Sequence, residues 1–204
     1  MSKNALILER TSLAVSALAL PALAKKVPSS GEYTELIRRH FQNLRSTVAI
    51  VPVGSGLGAG DVCENIATEL GASGKQVVIV SVDRLLTMTS TDDAPERLGC
   101  TPWKTPNVWR WPTAGGHLEF FKSRGPVDPA AKWLDALFLA FDSVLLDCPA
   151  LESAPASAQH AAMADVAVLV VEAGRTTRRQ IQHDQRALQS RGVKLADCIL
   201  MQRK

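Results

Sequence analysis

Residues 47–53, TVAIVPV, form a short apolar run rich in β-branched side chains. A glycine-rich loop follows at 54–60, GSGLGAG, and then a segment with helical spacing over 61–74. A second apolar run, QVVIVSVD, occupies 76–83. Apolar runs of this length, bounded by turn residues, read as strands buried on both faces. Between them Val62, Ile66 and Leu70 recur at i, i+4, i+8, with Asp61 as candidate N-cap and Gly71 or Gly74 as stops. Strand, glycine loop, helix, strand is a βαβ unit, and a βαβ unit forces a parallel strand pair with a helix crossing one face. This commits the chain to an α/β sheet covered by helices on both sides.

The rest of the chain repeats the alternation. Residues 32–44 read as a helix in which Tyr33, Leu36 or Ile37, His40 or Phe41, and Leu44 share a face. Residues 143–147, 164–173 and 196–202 read as strands, and 130–141 and 177–192 as helices. The stretch 84–131 is irregular, with VWRW at 108–111 a short strand; Trp103, Trp109 and Trp111 either pack a long connection or form an aromatic recognition surface. Arg178, Arg179, Arg186 and Arg191 of the last helix form either a solvated face or one that meets an acidic partner or a membrane surface. The predicted fold is a Rossmann-like three-layer α/β domain with a mainly parallel sheet, preceded by an N-terminal helical arm.

Composition excludes several classes. The 204 residues suit one domain with an added arm, and 46% hydrophobic with 21% charged residues argues against disorder over most of the length. A net charge of +3 is too slight to imply nucleic acid. Cys63, Cys100, Cys148 and Cys198 lie far apart with no C-x-x-C pair, which argues against a zinc site or disulfide scaffold. His40, His117, His160 and His183 show no ligand spacing. No apolar run reaches the roughly 18 residues of a membrane span. Residues 12–24, SLAVSALALPALA, lie between Arg10 and Lys25–Lys26; they read as a cleaved signal, a packed helix or a membrane contact. VPSSGE at 27–32 reads as a linker, so residues 1–31 are predicted to form an arm and linker and 32–204 the domain.

A glycine loop between a first strand and a helix is the usual cradle for phosphate, because its N–H groups and the helix N-terminus present partial positive charge. The phosphate-binding pattern G-x-x-x-x-G-K-[ST] adds a lysine for the terminal phosphates and a hydroxyl for magnesium. Here the lysine position is Ala59 and the hydroxyl position Gly60. The candidate nucleotide-binding residues are Gly54, Gly56, Gly58, Ala59, Gly60 and Asp61, and the loop without its lysine is equally a tight turn. Asp83 and Asp147, at the ends of two predicted strands, are candidate metal ligands or structural acids.

Four stretches carry a family resemblance: EYTELIR (32–38), GLGAGDVCENIATELGASGKQVVIVSVD (56–83), FDSVLLDCPA (141–150) and ADVAVLVVEAGRTTRRQI (164–181). In their order and spacing they resemble the cytoplasmic kinase domain of bacterial tyrosine kinases of capsule and exopolysaccharide synthesis. Those kinases belong with the septum-site and plasmid-partition ATPases. The resemblance spans about 32–202 and implies a P-loop NTPase fold. It places Asn65-Ile66-Ala67 on the family's N-L-A, and 141–150 on its Y-D-x-V-I-x-D-x-P-P, with Asp147 as the Walker B acid.

The departures bear on function. Members carry G-K-[ST]-T where this chain has Gly58-Ala59-Gly60-Asp61, and D-x-D where it has Ser81-Val82-Asp83. A tyrosine-rich tail is common in members, whereas Tyr33 is the one tyrosine here. The family's E-x-x-R-x-x-R contact motif keeps Glu32 and Arg38 but has Glu35 in the middle. These changes predict a non-catalytic, pseudokinase-like protein of exopolysaccharide synthesis or export, needing no cofactor, with ATP and magnesium doubtful ligands. The alternative is a divergent ATP-dependent tyrosine kinase or ATPase. The resemblance implies a protein partner, either a membrane polysaccharide chain-length regulator or an active kinase subunit, and a cytoplasmic place at the inner membrane face with only indirect membrane association; the low charge and the missing lysine argue against a nucleic-acid partner. Homo- or hetero-oligomers are compatible with it. Glu32, Tyr33, Arg38 and Phe41 are the candidate contact residues.

Overall fold

The structure, a computed structural model, describes residues 5–9, 32–41, 45–54, 59–83, 100–111, 137 and 139–202. Eight strands make one sheet: β1 Ala5–Glu9, β2 Ser46–Pro52, β3 Val77–Ser81, β4 Thr101–Pro102, β5 Val108–Trp111, β6 Ser143–Asp147, β7 Val166–Glu172 and β8 Leu195–Gln202. Their order is β1-β8-β7-β2-β6-β3-β5-β4. The six central strands run parallel, and β1 and β4 close the two edges antiparallel. Among the described residues, the longer helical elements are α1 Glu32–His40, α2 Gly60–Ala72, α3 Ser157–Ala161 and α4 Arg178–Gln189. This is the mainly parallel three-layer α/β fold that the βαβ unit predicts.

The alternation of side chains across β2 divides the core. Val48 and Ile50 enter one apolar layer with α1 and α2, through Leu36, Phe41, Ile66 and Leu70. Ala49 and Val51 enter the other, with Ala158, Ala161 and Leu188 of α3 and α4. Burial of β2 on both faces is complete from Ser46 to Pro52, which is why its sequence shows no polar alternation.

Several expectations are corrected. Within the expected helical arm, Ala5–Glu9 form an edge strand paired with β8, because β8 offers an open edge at that side of the sheet. Residues 12–24 and 27–31 lie outside the described residues. Asp61 is not the N-cap of α2; the cap position is Ala59, and Asp61 stands in the first turn. The strand expected over 76–83 ends at Ser81, and Val82 and Asp83 are helical. Of the helix expected over 130–141, Leu137, Leu139 and Ala140 are helical and the other positions up to 138 lie outside the described residues. The short α3 and the edge strands β1 and β4 carry no periodicity that the sequence reading used.

Two glycines at the end of α2 do different work. Gly74, at φ +90°, follows the cap residue Ser73 and turns the chain out of the helix. Gly71 lies inside α2, where a Cβ would stand 2.7 Å from the Pro106 carbonyl oxygen and 2.9 Å from Val108 Cγ2. It permits the helix to touch the turn before β5. The tryptophans follow the packing alternative: Trp111 is 1% exposed, and Trp109 packs against Phe141 in a tilted arrangement with ring centroids 5.5 Å apart. Among the described residues, no helix is long and apolar enough to cross a membrane.

Candidate functional site

The carboxyl ends of the central strands converge on the N-terminus of α2, the usual ligand position of such sheets. Register sets Ser81 beside Asp147, and Asp147 beside Ile50. Ala59, at the lysine position of the phosphate-binding pattern, is 2% exposed, and no side chain caps the helix. A Cβ on Gly60 would lie 3.5 Å from Asp147 Oδ2, so this carboxylate faces the first turn of α2. Asp61 and Asp83 are exposed close by. Gly56 and Gly58 lie outside the described residues.

The field here is acidic. The Asp147 carboxyl is pushed up to about 6, first by burial, against the attraction of Arg110; Glu64, Asp83 and Asp61 push the same way as burial. Arg110 is itself committed: it pairs with Glu64 of α2 and lies 3.7 Å from the Trp103 ring centroid. Among the described residues, no three His, Cys, Asp or Glu side chains are placed to hold a metal ion. Asp83 and Asp147 alone would supply the one or two carboxylates that magnesium takes when phosphates complete its shell. Cys63 and Cys148 are buried beside this cluster and burial pushes both thiols up, which suits inert core groups.

The start of the loop is fixed from the other side of the sheet. Gly54 is buried at φ +84°, and its N–H donates to the carboxylate of Asp184 in α4. A Cβ there would stand 3.3 Å from Gln180 Nε2. Gln180 also completes a capping box: its N–H donates to Thr177 Oγ1, and the Thr177 N–H donates to Gln180 Oε1. Asp184 is 4% exposed; burial raises its pKa, Glu152 adds to this, and His183 and the Gly54 N–H oppose it.

Asp184, Gln180, Glu64 and Arg110 were not among the candidates from sequence. The T-x-x-Q spacing of 177–180 was a legible signal for the cap. The two long-range pairings had none, since 130 residues separate Gly54 from Asp184 in the numbering.

The candidate contact residues divide. Tyr33 and Phe41 are 7% and 1% exposed and belong to the core on the α1–α2 side, which corrects their placement on a contact surface: the apolar face of α1 is spent on the sheet. Asn65 Nδ2 donates to the Tyr33 hydroxyl at 3.4 Å. Arg38 is 61% exposed and donates twice to Glu35 at 2.8 Å. Glu35 also accepts from Arg39, and the two guanidiniums hold its carboxyl down to about 2. Arg39 and His40 face Asp197, which is 2% exposed on β8, at 3.3 Å and 3.6 Å. Glu32 begins α1.

No family model and no curated protein matches the chain. Solved structures do. The BceF tyrosine kinase domain superposes with a TM-score of 0.62 at 18% identity, covering 84% of this chain and 74% of its own. The kinase domain of the Escherichia coli tyrosine kinase ETK gives 0.61 at 14% identity, covering 82% and 71%. The MinD cell division protein of Aquifex aeolicus gives 0.55 at 18%, covering 76% and 68%. At these identities the likeness is one of fold. The neighbours include both groups named by the sequence resemblance, and the chain has the Rossmann-like fold of P-loop NTPases.

Proposed function

We propose that this protein is a non-catalytic, kinase-like regulatory or assembly component of exopolysaccharide synthesis or export, acting on the cytoplasmic side through protein contacts. The observation that carries the reading is a substitution of charge. At the N-terminus of α2, where nucleotide phosphates would sit, the lysine position is a buried alanine and the Asp147 carboxylate faces the helix. Asp61 adds a second acid in the same turn. Two unit charges about 4 Å apart interact by roughly 1 kcal/mol in water and about 4 kcal/mol at an effective dielectric near 20. A triphosphate multiplies that repulsion, and Arg110 already answers Glu64. Phosphoryl transfer depends on positioning and charge neutralisation, and the lysine and hydroxyl that would supply them are replaced here by Ala59 and Gly60.

The partner that fits the reading is a membrane polysaccharide chain-length regulator or an active kinase subunit. Its contact surface on this chain is the outward side of α1 around Arg38 and Glu35, whose ion pair is exposed. Calorimetry of the full chain with MgATP tests the reading: no binding is expected, and micromolar affinity overturns it. The second reading is a divergent ATP-dependent tyrosine kinase or ATPase. It is favoured by Asp147 at the end of β6 and Asp83 two residues past the end of the adjoining β3. Autophosphorylation or ATP hydrolysis by the purified protein would establish it instead.

A further inference from the structure

We propose that the outward face of α4 is a docking surface for an anionic phospholipid bilayer. Arg178, Arg179 and Arg186 lie on the exposed side of the helix, opposite the buried Asp184 and Leu188. Arg175 before the helix and Arg191 and Lys194 after it are exposed as well. From 173 to 196 the chain's one acid is Asp184, which is buried and turned to Gly54, so this surface exposes no carboxylate of its own. Glu152, exposed on the segment before α3, is the neighbouring acid that senses Asp184. Among the described residues, Arg175 alone of the six forms an ion pair, to Glu172 at 3.6 Å.

The six cations equal twice the chain's net charge of +3, so the remainder of the molecule is net negative. A planar anionic surface would therefore draw this face toward it and repel the rest. A 12-residue helix is about 18 Å long, so the charges spread along a line rather than converge on a pocket. A protein interface of ordinary stability needs a buried apolar or aromatic anchor, and single-strand nucleic acid needs aromatic platforms. The α4 surface offers neither: Leu139 is the exposed large hydrophobic residue among those described, and it is not in α4. A headgroup layer needs only cations within a Debye length. In this orientation α1 and α2, on the opposite side of the sheet, face away from the lipid.

Vesicle co-sedimentation of the full chain tests the proposal. Binding is expected to vesicles of 70% phosphatidylcholine and 30% phosphatidylglycerol, not to pure phosphatidylcholine, and to fall steeply at 0.5 M NaCl. Arg178→Gln/Arg179→Gln/Arg186→Gln should weaken the partition by roughly a hundredfold, while the corresponding triple lysine variant should retain it. Lys104→Gln, an exposed cation beside Trp103 at the far edge of the sheet, should leave it unchanged. Equal binding by the folded glutamine variant, checked by circular dichroism, would overturn the proposal and assign lipid binding elsewhere in the chain. Tighter binding of polyglutamate than of vesicles at equal anion concentration would overturn it in favour of an acidic protein partner.

Discussion

Asp147 shows how one carboxyl reports on the whole site. Its pKa of about 6 exceeds the ordinary carboxylate value because burial and three neighbouring acids outweigh Arg110. A raised acid binds its proton more tightly folded than unfolded, so its contribution is full below about pH 4 and is lost as pH rises through about 6. Urea denaturation in metal-free buffer should therefore show stability falling across that window. Asp147→Asn should flatten the fall and gain on the order of 2 kcal/mol at pH 7.5. A flat profile in the native protein would overturn this account of the Asp147 carboxyl. Asp184 makes the complementary case. Its carboxylate accepts the buried Gly54 N–H. Asp184→Asn keeps an acceptor and should cost little, whereas Asp184→Leu strands the donor and should cost about 1–3 kcal/mol, read by the same denaturation.

At the scale of elements, the contact between α2 and the turn before β5 depends on one missing methyl group. Gly71→Ala places a Cβ within 3 Å of backbone at Pro106. Helix propensity alone predicts a gain of up to about 1 kcal/mol from this change. The contact predicts a net loss of about 1–3 kcal/mol, because backbone cannot move aside as a flexible side chain can. Thermal melting decides the sign. The elements themselves were largely legible: β5 and β6 match their sequence segments, and β2, β7, α2 and α4 are displaced by one to three residues at their ends. The misses share a cause. α3 has five residues and β4 two, too short to show a period. Ala5–Glu9 is a strand because β8 has a free edge to pair, a fact of the assembled sheet.

At the scale of the molecule, the prediction concerns reversibility. Ala59→Lys with Gly60→Ser and Asp61→Thr restores the cation and hydroxyl of the phosphate-binding pattern. A Cβ at 60 meets Asp147 at 3.5 Å, an ordinary contact, so the serine fits without displacing the sheet. If the loop alone was lost, the variant should bind MgATP measurably in calorimetry where the native chain does not. If it stays inert, Asp184 and the Arg110–Glu64 pair have reshaped the surroundings as well. The resemblance gave the fold before any coordinates, and the structural neighbours agree with it.

What the residues alone determined is the class of fold and the emptied lysine position, because both are written in local pattern: β-branched runs, helical spacing, and the identity of Ala59. Tertiary structure decided which charges meet. The Gly54 N–H finds Asp184, Arg110 finds Glu64, Asp147 faces α2, and Tyr33 and Phe41 turn inward. Such pairings join segments distant in the chain. Burial and proximity set their energies, and neither exists until the sheet has brought those segments together.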